Sequence, residues 1–219
     1  MHTITLRAWL AGLRQPWPLA GIDVSAQELC WVEMAPQTPG WTIRYQDSER
    51  LPAGWGNPAD ISTWDTQVLG AALQGLRERA HAASRAAGCI RVSCVAMGLD
   101  ARYVHEHAWG ERAAGWGGVA RGAAFEAAHP DESREFCWED VPATHNTPSY
   151  RVSTPRSVVL ALQALTESAG LELSVLEPMQ AAHERGEAWW AADETMPANV
   201  WVRATGLALR RAHPWGWAC

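Results

Sequence analysis

Short apolar segments that alternate with an amphipathic helix constrain the fold of this chain more than any other feature. Strand-like segments with apolar and β-branched residues occupy positions 19–25, 28–34 and 41–45. A helix with apolar side chains at helical spacing follows; Thr63 or Asp65 begins it and Gly88 ends it. Residues 90–97 then form another apolar strand. Strands and helices that alternate in this order predict an α/β fold.

The same alternation continues towards the end of the chain. We predict strands over 103–109, 136–138, 149–152, 171–176 and 199–202. We predict helices over 113–129, 155–169, 178–190 and 207–211. A chain of 219 residues can bury a sufficient core without metal or disulfide cross-links, and its five cysteines include no Cys-x-x-Cys pair. The length indicates one domain or two small lobes. The cysteines indicate a protein of a reducing compartment.

Charge and aromatic content exclude several classes of function. All 18 basic residues are arginines, 24 residues are acidic, and the net charge is −6. Binding to a nucleic-acid backbone needs a basic surface, so we expect no nucleic-acid partner. A chain without lysine has neither a P-loop nor a Schiff-base lysine, and the apolar runs are shorter than the ~18 residues of a membrane span. The 14 tryptophans exceed what one core usually buries, so some should lie at an interface.

The motif Gly21-Ile-Asp23 ends the first strand and begins a polar turn that continues with Ser25. Such a turn can offer a carboxylate to Mg²⁺, and its amides and hydroxyls can bind phosphate oxygens. The alternative is a strand that ends in a polar turn without a ligand. The tripeptide by itself does not decide between the two.

A histidine pair gives a second candidate site. His105 and His107 are two positions apart on a predicted strand, so both point to the same side. Two imidazoles can bind Zn²⁺ if His129 or His145 supplies a third ligand. An exposed strand face explains the same pattern without a metal, and we expect no metal site.

Several segments keep the order and spacing of one known family over residues 9–185. Three of them are Leu-Ala-Gly-Ile-Asp-Val at 19–24, Leu-Cys-Trp-Val-Glu-Met at 29–34 and Val-Ala-Met-Gly-Leu at 95–99. The others in this range lie at 9–14, 125–132, 150–159 and 169–178, and the later segment at 204–211 is similar to the final helix of the same family. In these segments the chain resembles the PilM family of type IV pilus assembly proteins, which belong to the actin-like ATPase superfamily and are related to the cell-division protein FtsA.

The resemblance implies a fold and a domain arrangement. The fold would be α/β: the first lobe of an actin-like (ribonuclease H-like) protein, with a small inserted α/β subdomain and most of the second lobe missing. Residues 1–18 would be an amphipathic leader with leucines at helical spacing. Residues 19–98 and 178–219 would form the core subdomain, and residues 99–177 the insertion.

The resemblance also implies a nucleotide site. In that superfamily the opening turn holds ATP and Mg²⁺, which places a cofactor site at Gly21, Asp23, Ser25 and Gln27. The family has a glycine and hydroxyl residues after the aspartate, whereas this chain continues Ser-Ala-Gln. Close approach of the backbone and hydroxyl ligation are both weakened, and half of the nucleotide contacts would belong to the second lobe. We therefore expect no catalytic residues and no enzyme activity.

The resemblance implies that this chain retains a surface for a protein partner. In the family this surface holds the short cytoplasmic N-terminal peptide of the inner-membrane protein PilN. We therefore expect a cytoplasmic scaffold of type IV pilus, competence or type II secretion-like assembly, held at the inner membrane through a PilN-like partner. Two alternatives are open: an actin-like ATP-binding protein or ATPase with a reduced nucleotide site, and an unrelated globular binding module. Self-association is also open.

Overall fold

The computed structural model describes residues 19–38, 40–108, 136–141, 150–191 and 197–210. These residues divide into two units: a sheet unit of residues 19–100 and 163–210, and a small unit of residues 101–162. In chain order the elements are β1 (Leu19–Val24), β2 (Glu28–Pro36), β3 (Trp41–Arg50), a 3₁₀ turn (Ile61–Thr63), α1 (Thr66–Ala86), β4 (Cys94–Leu99), a second 3₁₀ turn (Ala101–Tyr103), β5 (His105–Ala108), β6 (Phe136–Val141), β7 (Tyr150–Pro155), α2 (Arg156–Ser168), β8 (Glu172–Pro178), α3 (Met179–Trp190) and α4 (Asn199–Ala208).

A five-stranded sheet with the order β3-β2-β1-β4-β8 is the centre of the sheet unit. β1, β2 and β3 form an antiparallel meander, and β4 and β8 run parallel to β1. A parallel neighbour requires a crossover connection, and α1 lies in the one before β4. The predicted strands of this sheet are confirmed with shifted ends: β3 continues to Arg50, and β4 begins at Cys94, after an Ile90 that is 69% exposed.

Asp65, rather than Thr63, begins α1. Its carboxylate accepts hydrogen bonds from the backbone N–H groups of Gln67 and Val68, which the first turn of a helix leaves without partners. Gly88 follows the helix with φ 65°, a left-handed conformation that favours glycine. The buried leucines of α1 lie on one face, and the helix packs on β2 and β3. The predicted helix is therefore confirmed, including its C-terminal stop.

The small unit contains a three-stranded antiparallel sheet with the order β5-β7-β6. The strands predicted over 103–109, 136–138 and 149–152 each have a counterpart in it. Pro155 is the last residue of β7, and α2 begins one residue later than predicted. The helix predicted over 113–129 lies outside the described residues, as does the leader of residues 1–18.

The segment after residue 198 is the helix α4, so the short strand predicted over 199–202 is wrong. The local run Val-Trp-Val favours a strand, because β-branched and aromatic residues suit a pleated surface. Tertiary packing decides otherwise: Val200, Ala204 and Ala208 repeat at helical spacing and are buried against the side chains of β2. α4 also packs on β1 and on α3.

The predicted division into residues 1–18, residues 19–98 with 178–219, and residues 99–177 stays a prediction. One strand departs from it: β8, which it places in the insertion, pairs with β4 in the five-stranded sheet. None of the described helices combines the length and the apolar character that crossing a membrane requires.

Candidate functional site

The carboxyl ends of the parallel strands β1, β4 and β8 form the candidate site, because open α/β sheets bind their ligands at this edge. Ile22 pairs with Met97, so Asp23 lies beside Gly98, and Gly98 pairs with Glu177. We call Asp23, Gly98 and Glu177 the carboxylate row. Its two acidic residues are two strand spacings apart, about 10 Å between Cα atoms. The carboxylate of Asp23 contacts a residue of α4, and that of Glu177 contacts a residue of α3 and one just after α4. Both carboxylates therefore lie on the face of the sheet that these helices cover.

Asp23 is paired with an arginine from α4. Its Oδ2 accepts a hydrogen bond from Nε of Arg203 at 2.7 Å. The side chain of Asp23 is 2% exposed and that of Arg203 is 20% exposed. Burial raises the pKa of Asp23 to about 6, although Arg203 acts in the opposite direction. The predicted ligand of Mg²⁺ is thus a buried carboxylate whose counter-ion belongs to the chain itself.

Glu177, at the end of β8, is paired with two arginines. The two terminal nitrogens of Arg185, in α3, donate to its two carboxylate oxygens at 2.7 and 3.0 Å. Arg210, two residues beyond α4, donates to Oε2 at 2.7 Å. Arg185 also donates to the carbonyl oxygen of Gly206 in α4 at 2.7 Å. The Glu177 side chain is fully buried, and this bidentate pair connects β8 with both helices.

Gly21 allows α4 to approach β1 closely. A Cβ atom at this position would overlap the carbonyl oxygen of Ala204 and lie 2.6 Å from the backbone nitrogen of Ala208. Gly186 in α3 and Gly206 in α4 have the same function at the contact between those two helices, since a Cβ atom on either would overlap the backbone of the other helix. Helix packing therefore accounts for the glycine of the Gly-x-Asp motif without a ligand.

The turn after β1 is closed by its own hydrogen bonds. The hydroxyl of Ser25 donates to the carbonyl of Glu28 at 3.1 Å and accepts from the N–H groups of Gln27 and Glu28 at 3.3 and 3.0 Å. The N–H of Ser25 donates to the same carbonyl at 2.8 Å. Gln27 is exposed. The four predicted site residues are thus separated: Gly21 and Asp23 lie under α4, and Ser25 and Gln27 lie in a self-bonded turn.

These groups do not fit ATP and Mg²⁺. Mg²⁺ keeps several of its waters and binds through one or two carboxylates, whereas both carboxylates of the row are buried and bonded to guanidinium groups. A phosphate needs free backbone N–H groups, whereas those of residues 25, 27 and 28 are engaged within the turn. The assignment of this cofactor pair to the turn stays a prediction that the observed contacts do not support.

The histidine pair lies on β5, where His105 pairs with Ser153 and His107 with Arg151 of β7. The third ligands considered for zinc, His129 and His145, lie outside the described residues. Within the part of the chain that the structure describes, no three His, Cys, Asp or Glu side chains gather to hold a metal ion.

Nothing in the predicted elements points to the three arginines of this edge. The strand expected over 199–202 ends just before Arg203, and the distance in sequence hides its pairing with Asp23. Glu177 does carry a signal, because it stands between the buried Leu176 and Pro178 at the end of an apolar strand. A carboxylate in such a position needs a counter-ion or a hydrogen-bond donor.

No protein-family model matches the chain, and no curated protein sequence matches it. Among solved structures the chain is similar to a chain of the PilM–PilN type IV pilus biogenesis complex, with 16% sequence identity and a TM-score of 0.55. This similarity covers 82% of the present chain and 53% of the other, so the chain spans about half the length of that neighbour. It shows that the predicted α/β, actin-like fold is correct, and it supports the resemblance to PilM at the level of the fold.

A second solved structure is similar at a lower level. It is the cytoplasmic domain of EpsL, an inner-membrane component of the type II secretion system of Vibrio cholerae. The sequence identity is 10% and the TM-score 0.44, over 75% of the present chain and 58% of the other.

A group of tryptophans lies where α3 ends and α4 begins, beside the start of β3. Nε1 of Trp189 donates to the carbonyl of Trp41 at 3.2 Å, and the ring of Trp189 meets that of Trp190 edge-on, with centroids 4.9 Å apart. Trp201 packs on the same apolar cluster as Trp41 and Trp189. We call Trp41, Trp189, Trp190 and Trp201 the tryptophan cluster. All four are partly buried, so each keeps part of its surface in contact with solvent.

Proposed function

We propose that this chain is a cytoplasmic scaffold of type IV pilus, competence or type II secretion-like assembly. It binds the N-terminal cytoplasmic peptide of a PilN-like inner-membrane protein. The observation that carries the proposal is the similarity to a chain of the PilM–PilN complex, with a TM-score of 0.55 over 82% of the present chain.

The contacts of the carboxylate row support binding rather than catalysis. Acid–base and metal chemistry both need a carboxylate that a substrate or a metal ion can reach. The side chains of Asp23 and Glu177 are 2% and 0% exposed, and both are bonded to arginine. A chain whose acidic edge is closed in this way is better suited to a scaffold than to an ATPase.

The tryptophan cluster is the surface that we propose for the peptide within the sheet unit. Aromatic side chains that are partly buried and partly exposed act as anchors at protein interfaces, because they bury a large apolar area at little cost in side-chain entropy. Trp201 packs on a core of Cys30, Val32 and Met34, so it presents a fixed surface. An apolar segment of the partner would complete its burial.

A titration of the full chain with a labelled peptide tests the proposal. The peptide has the N-terminal cytoplasmic sequence of the PilN-like membrane protein of the same organism, and a scrambled peptide of equal composition is the control. Fluorescence anisotropy should give saturable, micromolar binding of the first peptide alone. Absence of saturable binding, or equal binding of both peptides, would contradict the proposed function.

Two variants locate the binding surface. Trp201→Ala should weaken peptide binding at least ~10-fold, the loss of one interface anchor. Ile90→Ala is the matched control, because Ile90 is an apolar residue that is 69% exposed on the same unit, outside the cluster. It should change the affinity less than about 2-fold. Equal effects of the two substitutions would exclude the tryptophan cluster as the contact surface. The conclusion that the chain binds the peptide would still hold.

A further inference from the structure

The cation that neutralises Asp23 is held in place by helix packing. Arg203 lies in α4, and α4 is fixed against β1 and α3 by the backbone contacts at Gly21, Gly186 and Gly206. The guanidinium cannot be withdrawn from Asp23 by a movement of α4 without opening these contacts. A movement of the Arg203 side chain alone would leave a carboxylate that is 2% exposed without its counter-ion.

The second carboxylate of the row cannot substitute for Asp23. Both oxygens of Glu177 already accept hydrogen bonds, from the two terminal nitrogens of Arg185 and from Arg210. A divalent ion placed between the two carboxylates would therefore have to displace three arginines. It would also have to lose waters that Mg²⁺ gives up reluctantly.

Three backbone N–H groups of the adjoining turn are not available to a phosphate. The N–H groups of Ser25, Gln27 and Glu28 all donate to acceptors inside the turn, and the hydroxyl of Ser25 donates to the carbonyl of Glu28. Phosphate sites at such turns depend on N–H groups that point outwards and are free.

We infer that Arg203 is the resident cation of Asp23, and that the edge formed by β1, β4 and β8 binds neither a divalent cation nor a Mg²⁺-nucleotide. The arginines of this edge act as positioning residues that fasten α3 and α4 to the sheet. This inference does not depend on the proposed partner, and peptide binding can succeed or fail without affecting it.

The first test is a calorimetric titration of the full chain with Mg²⁺-ATP and with MgCl₂ alone. We expect no saturable heat with either up to millimolar concentration. Saturable binding by the wild-type chain that is lost in Asp23→Asn would overturn the inference.

The second test measures thermal unfolding. Arg203→Gln should lower the Tm by roughly 6–12 °C, because it leaves a buried carboxylate without its partner. Arg79→Gln is the matched control: Arg79 also pairs with carboxylates, those of Asp47 and Glu49, but its side chain is 44% exposed. The control should lower the Tm by at most about 3 °C. Equal losses in the two variants would show that Arg203 is not the required cation.

Two further measurements make the result decisive. The double variant Asp23→Asn/Arg203→Gln removes both charges and should recover most of the Tm lost in Arg203→Gln. If Arg203→Gln does not fold, the double variant should still fold. MgCl₂ at millimolar concentration should not raise the Tm of the wild-type chain more than that of Asp23→Asn. A rise in Tm that the wild-type chain shows and Asp23→Asn does not would identify Asp23 as a metal ligand and overturn the inference.

Discussion

Nε of Arg203 lies 2.7 Å from Oδ2 of Asp23, although the two residues are 180 positions apart in the chain. The contact joins α4 to the carboxyl end of β1, at the edge where α/β sheets usually bind ligands. Arg185 and Arg210 repeat the arrangement at Glu177 on β8. Arginines of the chain itself therefore occupy the acidic edge of the fold.

The pair predicts how stability depends on pH. Burial raises the pKa of Asp23 from its ordinary value of 3.8 to about 6. A carboxyl whose pKa rises on folding binds more protons in the folded state, so its contribution to stability is full below about pH 4 and is lost as the pH rises through about 6. Between pH 4 and pH 7 the free energy of unfolding of the wild type should fall relative to that of Asp23→Asn by up to about 3 kcal/mol. Urea unfolding of both proteins at both pH values measures this change. If the two free energies of unfolding differ by the same amount at pH 4 and pH 7, the pKa of Asp23 is not raised on folding.

The two arginines of Glu177 should differ in importance. Arg185→Gln removes both hydrogen bonds of the bidentate pair and the bond to Gly206, so we expect a loss of about 3 kcal/mol in the free energy of unfolding. Arg210→Gln removes the charged hydrogen bond to Oε2 of Glu177 and leaves the bidentate pair, so the expected loss at this carboxylate is about 1–2 kcal/mol. Denaturant unfolding of both variants at neutral pH makes the comparison. A larger loss in the Arg210 variant would show that the bidentate pair is not the main contact.

The close approach of α4 to β1 gives a third prediction. Gly21→Ala should lower the free energy of unfolding by about 3 kcal/mol or more, because its Cβ atom would overlap the backbone of α4. Gly75→Ala is the matched control: Gly75 lies within α1, and a Cβ atom there would meet only Nη1 of Arg79, at 3.5 Å. That substitution should raise the stability by about 0.5–1 kcal/mol through helix propensity. If both variants are equally stable, α4 does not pack on Gly21.

The opening strands and α1 could be predicted from the sequence because several local signals agree there. The strands are apolar runs bounded by Pro, Gly and polar residues, and α1 has a capping aspartate, leucines at helical spacing and Gly88 at its end. Each signal acts over a few residues, so no knowledge of tertiary contacts is required.

The segment from residue 199 shows where local signals fail. Val200, Trp201 and Val202 favour a strand by propensity, yet they belong to α4, because burial against β2 rewards the helical spacing of Val200, Ala204 and Ala208. The prediction of the candidate site from the sequence is incomplete for the same reason. The sequence indicates Asp23 but not its partner, since an ion pair between residues so distant in the chain depends on the finished fold.

Recruitment to membranes tests the central claim, that this chain is an adaptor for a membrane partner, most directly. The full chain is sedimented with anionic liposomes, either bare or carrying the PilN-like cytoplasmic peptide tethered to lipid, at low and at moderate salt. With a net charge of −6 the chain should not bind bare anionic lipid. It should sediment with the peptide-bearing liposomes at both salt concentrations, because apolar contacts are screened little. Binding to bare liposomes that salt abolishes, or no binding to the tethered peptide, would contradict the account.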